Sequence, residues 1–118
     1  MRIETPDKKL SHDLLETDHI QAYQTEKIIT DGVSIRYEGQ ILREAIGFPE
    51  LFNFSIYVAE HIALPIAVAV LSRYLYDKLK DRKNTEIRIN DTSIEINAEK
   101  IEQLILVILK EKEDAKKK

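Results

Sequence analysis

The stretch from Pro49 to Lys80 constrains this chain more than any other. From Leu51 to Ser72 it reads LFNFSIYVAEHIALPIAVAVLS, and its length and apolar content predict one long helix over 50–80. A bilayer-spanning helix needs about 20 mostly apolar residues. This stretch is long enough, but Glu60 and His61 stand near its middle, and an acid at the centre of a span costs about 2.5–3.5 kcal/mol on insertion. The cleaner run, Ile62 to Leu71, is too short to span, and Arg73, Asp77, Lys78 and Lys80 follow it closely. A helix buried in its own domain or covered by a partner is therefore expected. A membrane anchor over 51–72 is the alternative.

The faces of such a helix sharpen this reading. At about 100° per residue, Asn53, Tyr57, Glu60 and His61 share one side. Leu64, Val68 and Leu71 continue that stripe, so beyond His61 the helix is apolar all round and must be covered on every side. Ala59, Ala63 and Ala67 fall four apart and make a seam where another backbone can approach closely. The same spacing also serves ordinary core packing. Pro65 leaves the His61 carbonyl without a donor and crowds that turn, so a kink is expected there.

The chain of 118 residues suits one domain. We expect a flexible segment at 1–9, a single α+β domain over 10–113 and a charged, disordered tail at 114–118. The charged fraction is 33%, yet the net charge is only −3. A nucleic-acid binder would show a basic excess, so no nucleic-acid partner is expected. There is no cysteine, which excludes disulfides, thiolate zinc sites and a cysteine nucleophile. The opening MRIETPDKKLSHD is polar and unlike a signal peptide, and a cytoplasmic location is expected.

Other elements are read from local signals. Ser11 can cap a short helix containing Leu14 and Leu15, and Asp18 with Gln21 resembles a capping pair. Residues 24–30 suit either a helix ended by Asp31-Gly32 or a strand paired with 33–38 across that dipeptide. The strand pairing sets Ile28 against Ile35, but also Lys27 against Arg36. Strand 33–38 holds either way, because Val33, Ile35 and Tyr37 alternate with Ser34, Arg36 and Glu38. A short helix can cover 41–46. Residues 85–97 read as a hairpin with Asp91-Thr92 at its tip, pairing Ile89 with Ile94, Ile87 with Ile96 and Arg88 with Glu95. Asn97 caps a helix over 98–113, whose run from Leu104 to Leu109 exceeds one core-facing stripe. The expected architecture is α+β: a small antiparallel sheet, made of hairpin 85–97 and strand 33–38, packed against the apolar helix 50–80 and the C-terminal helix 98–113.

Chemical signatures are sparse. There is no phosphate-binding glycine loop and no nucleophile elbow, and no cofactor is expected. His12, Glu16 and His19 would share one side of a continuous helix and offer nitrogen and oxygen ligands that suit zinc. A solvated polar face explains the same spacing. Glu60 and His61 diverge by about 100° on a helix, so they make a poor catalytic pair, although Tyr57 could hydrogen-bond His61 from one turn away. The expected interaction surface comprises Tyr57, Ala59, Glu60, His61, Ala63 and Ala67 with Leu106 and Leu109. Its expected partner is another protein or a second copy of the chain, most simply in a dimer.

The order Gly47-Phe48-Pro49-Glu50, apolar helix, LSRYLYDKLK helix end, IRIN strand, short turn, IEIN strand and terminal helix resembles the effector-associated constant component type of small prokaryotic conflict-system protein. The resemblance covers about residues 33–110 and implies a non-enzymatic accessory or adaptor domain encoded beside an effector. A membrane-anchored small protein is the second functional reading. An enzyme built around Glu60 and His61 is the third.

Overall fold

The computed structural model describes residues 1–17, 25–41, 51–82 and 85–116. In chain order these form β1 (Arg2–Thr5), α1 (Lys8–Leu14), β2 (Glu26–Thr30), β3 (Val33–Ile41), β4 (Leu51–Val58), α2 (Leu64–Leu79), β5 (Arg88–Ile89), β6 (Thr92–Ser93) and α3 (Ala98–Lys116). One antiparallel sheet runs in the order β2-β3-β4-β1-β5-β6.

The chain is α+β, but the long helix over 50–80 does not exist. Its first part is β4, in which Phe52, Phe54, Ile56 and Val58 alternate with Asn53, Ser55 and Tyr57. That period of two is a strand signal. Phe54 is fully buried and Ile56 nearly so, while Tyr57 is exposed on the other face. Residues 59–63 turn the chain, and Pro65 stands in the first turn of α2. There its missing N–H is one of the donors that no helix can satisfy internally, and its fixed φ suits helix entry. Pro65 therefore opens a helix, where a mid-helix kink was expected. Among the described residues no helix is long and apolar enough to cross a membrane, and residues 51–58 of the expected helical anchor are strand.

The expected small sheet is also corrected. Strand 33–41 does not adjoin the 88–93 hairpin, because β4 and β1 lie between them. Residues 1–9, expected to be loose, supply β1, whose Ile3 pairs with Phe54 on one side and Ile89 on the other and is fully buried. Arg2 and Glu4 alternate with it onto the opposite face, where Arg2 Nε lies 2.8 Å from the Glu4 carboxylate. Asp7, not Ser11, caps α1: its carboxylate accepts from the Leu10 N–H at 3.0 Å. Ser11 lies inside the helix, and its hydroxyl donates to the Asp7 carbonyl at 3.0 Å.

Residues 26–30 are a strand, and Asp31-Gly32 is its two-residue turn. A bulge at Ile29 shifts the register, so Ile28 faces Ser34, Lys27 faces Ile35 and Glu26 faces Arg36. The bulge thus replaces the unfavourable Lys27–Arg36 opposition with an acid–base pair. The second hairpin slips as well. Its turn is Asn90-Asp91, with φ of 49° and 67°, a pair of left-handed positions that Asn and Asp tolerate better than most residues. Ile89 then faces Thr92 and Arg88 faces Ser93, and Glu95 bonds Lys100 at 2.5 Å instead of meeting Arg88.

All three helices cover one face of the sheet. Ala67, Leu71, Leu75 and Leu79 of α2, and Ile101, Ile105 and Leu109 of α3, recur at four-residue spacing and meet Val33, Ile35, Tyr37, Phe54, Ile3 and Ile89 in one core. Asn97 caps α3 as expected: its Oδ1 accepts from the Glu99 and Lys100 N–H groups at 3.0 and 3.1 Å. The helix continues to Lys116, past the expected end at 113. The expected features at Asp18, Gln21 and 42–46 lie outside the described residues.

Candidate functional site

The turn between β4 and α2 is held from below by the β2–β3 turn. The Ala59 N–H donates to the Gly32 carbonyl at 2.7 Å, and the Ile62 N–H donates back to the Ala59 carbonyl at 3.1 Å. Gly32 has a φ of 84°, and a Cβ there would approach the Ile62 side chain to 3.0 Å. Glycine is thus required both for the backbone conformation and for the close approach that seats this turn.

The turn, the start of α2 and the C-terminal part of α3 enclose a concavity of about 520 Å³. Ala59, Ala63, Ala67, Leu64 and Leu109 give it an apolar lining, and Glu60, His61, Lys112 and Glu113 contribute charged or titratable groups. The alanines meet here for a different reason from the expected one. Ala59 follows the strand, Ala63 is the α2 N-cap and Ala67 lies in the helix, so three local structures converge where one helical stripe was expected. Their small side chains leave the space open.

The remaining expected contact residues divide. Leu106 is 42% exposed on α3 and does not line the concavity. Tyr57 projects from the other face of the sheet, so it cannot support His61. There it borders a separate hollow of about 350 Å³ with Ile28, Ser34 and Arg36. Lys112 and Glu113 were missed from the sequence. The available signal was their position three and four residues beyond Leu109, which sets them on its side of a continuing helix.

Among the described residues no group of three potential ligands is close enough to hold an ion. His19 lies outside them. α1 ends at Leu14, so no continuous helix aligns His12 with Glu16. Glu16 instead binds Lys27 at 2.8 Å and Lys78 at 2.9 Å.

The fold and this concavity define a small α+β protein with an apolar recess rimmed by both signs of charge. Compared with protein-family models, curated proteins and solved structures, the chain gave no significant match.

Proposed function

We propose that the protein is a non-enzymatic interaction module that grips an apolar segment of a partner protein in the recess between the β4–α2 turn, α2 and α3. The observation that carries this reading is the convergence of Ala59, Ala63, Ala67 and Leu109 with Glu60 and His61 around one concavity of about 520 Å³. An apolar floor gains from burying a partner side chain, and a rim of both signs orients the segment without selecting a strongly acidic or basic ligand. Glu60 and His61 are both exposed, and the described lining contains no hydroxyl or thiol nucleophile. Both features favour contact over catalysis. A prokaryotic effector as the partner is the specific form of this proposal that the family resemblance implies.

Photo-cross-linking from single positions in cells tests it. A photoreactive residue at position 61 or 63 should trap the same discrete protein, and one at exposed position 92 should not. Equal trapping from all three positions, or none from 61 and 63, would contradict the proposal. A turnover abolished by His61→Gln with cross-linking unchanged would favour an enzyme instead.

A further inference from the structure

Gly32 stands just past the end of the β3–β4 ladder, which closes on the pair Val33 and Val58. Of the two residues in the β2–β3 turn, only Gly32 has a left-handed backbone, with a φ of 84°. A positive φ at the second central position of a turn is met by glycine and also by asparagine. Backbone conformation alone therefore leaves a choice between the two.

The surroundings of Gly32 remove that choice. A Cβ at position 32 would lie 3.0 Å from both Cγ1 and Cδ1 of Ile62 and 3.3 Å from the Ala59 Cβ. Non-bonded carbons settle at about 3.5–4.0 Å, so a side chain there displaces Ile62. Ile62 and Ala59 both line the α2–α3 recess, and so does Val58, whereas Gly32 does not. The same turn is bonded to Gly32 through its backbone: the Ala59 N–H donates to the Gly32 carbonyl at 2.7 Å, and the Ile62 N–H donates to the Ala59 carbonyl at 3.1 Å. One wall of the recess thus rests on a residue outside it, in the space where a side chain would be.

We propose that Gly32 is a positioning residue for the recess: its missing Cβ lets Ile62 seat against the β2–β3 turn and so holds the partner site open. This rests on the reading of the recess as the partner site. Ala63 and Leu64 follow Ile62 directly in the chain and also line the recess, so a displaced Ile62 carries the entry of α2 with it. The steric role is separable from the backbone role. Asparagine at position 32 would accept the positive φ yet still bring a Cβ against Ile62.

A double-mutant cycle of Gly32→Asn and Ile62→Ala tests this, read first by methyl NMR of the protein alone. Gly32→Asn should shift the recess methyls of Ala63, Ala67 and Leu109 and leave those of Leu75, further along α2, in place. Ile62→Ala removes both atoms that a Cβ at position 32 would meet. In that background, adding Gly32→Asn should leave the recess methyls where Ile62→Ala alone puts them. A purely conformational role for Gly32 would act alike in both backgrounds. Shifts of equal size in the two backgrounds, or no shift in either, would overturn the proposal. The second readout is affinity for the protein trapped from positions 61 and 63. Gly32→Asn should weaken it about tenfold in the wild-type background and less than about twofold beside Ile62→Ala. Equal losses in both would also overturn the proposal. Failure of the partner reading shows separately, as no protein trapped from positions 61 and 63, and the methyl comparison decides the role of Gly32 in that case as well.

Discussion

Glu16 stands two residues past α1 with a φ of 52°, a left-handed conformation that costs a non-glycine residue about 1–2 kcal/mol. The position is held by what its carboxylate binds. Lys27 reaches it from β2 and Lys78 from α2, so this one side chain ties the strand edge to the helix layer. Next to it, Tyr74 donates its hydroxyl to the Leu14 carbonyl at 2.5 Å, and burial, with the nearby Glu16 charge, pushes the phenol's pKa up. Hydrogen bonds from Lys27 and then Lys78 draw the Glu16 pKa down from 4.5 to about 2. The native state therefore binds fewer protons than the unfolded state in this window. The contribution is complete above pH 4.5 and is lost as the pH falls towards about 2. Because the carboxylate is 43% exposed, solvent screening limits its worth to about 1 kcal/mol. Glu16→Gln should melt lower than the wild type at neutral pH, and the gap should close on acidification through this window. A gap that stays constant with pH would show that the charge is not what matters.

The strand–turn–helix division of residues 51–79 makes a sharp prediction at Pro65. A proline inside a helix destabilises it by about 3 kcal/mol, so on the single-helix reading Pro65→Ala would stabilise the protein by that order. In the first turn of α2 the missing N–H costs nothing, and Pro65→Ala should change stability in urea melts by less than about 1 kcal/mol. The same comparison shows what could be read from residues alone. The α3 cap at Asn97 and the core faces of β3 were legible, because each rests on a local pattern that no neighbour overrides. β4 is hidden because its alternation of Phe52, Phe54, Ile56 and Val58 merges into a longer apolar run in which Tyr57 also fits a helical stripe. Asp31-Gly32 reads from sequence as either a turn or a helix end, and the second hairpin's tip reads as Asp91-Thr92, one residue beyond the observed Asn90-Asp91, because a bulge and a pair of left-handed residues set the two registers. β1 was hidden because RIET offers one apolar side chain, and only its two neighbouring strands make that position central.

At the scale of the whole molecule, two surfaces lie on opposite sides of the sheet. The helix side carries the recess around Ala63, formed where the chain changes from strand to helix and capped by the extended end of α3. The other side carries the exposed Ile28 and Tyr57. The recess residues were largely legible in sequence, since Glu60, His61 and the three alanines were singled out, but for a helical geometry the chain does not adopt. Their convergence depends on long-range contacts with α3 and Gly32. The recess is the surface proposed to hold the partner. The direct measurement is the affinity of the partner trapped from positions 61 and 63 for purified wild type and for Ala63→Trp. Ala63 is exposed, so the indole should fill the recess without disturbing the core. Binding to Ala63→Trp should be weakened at least tenfold, a loss of about 1.4 kcal/mol, with an unchanged melting temperature. Equal affinity for the two proteins would contradict it.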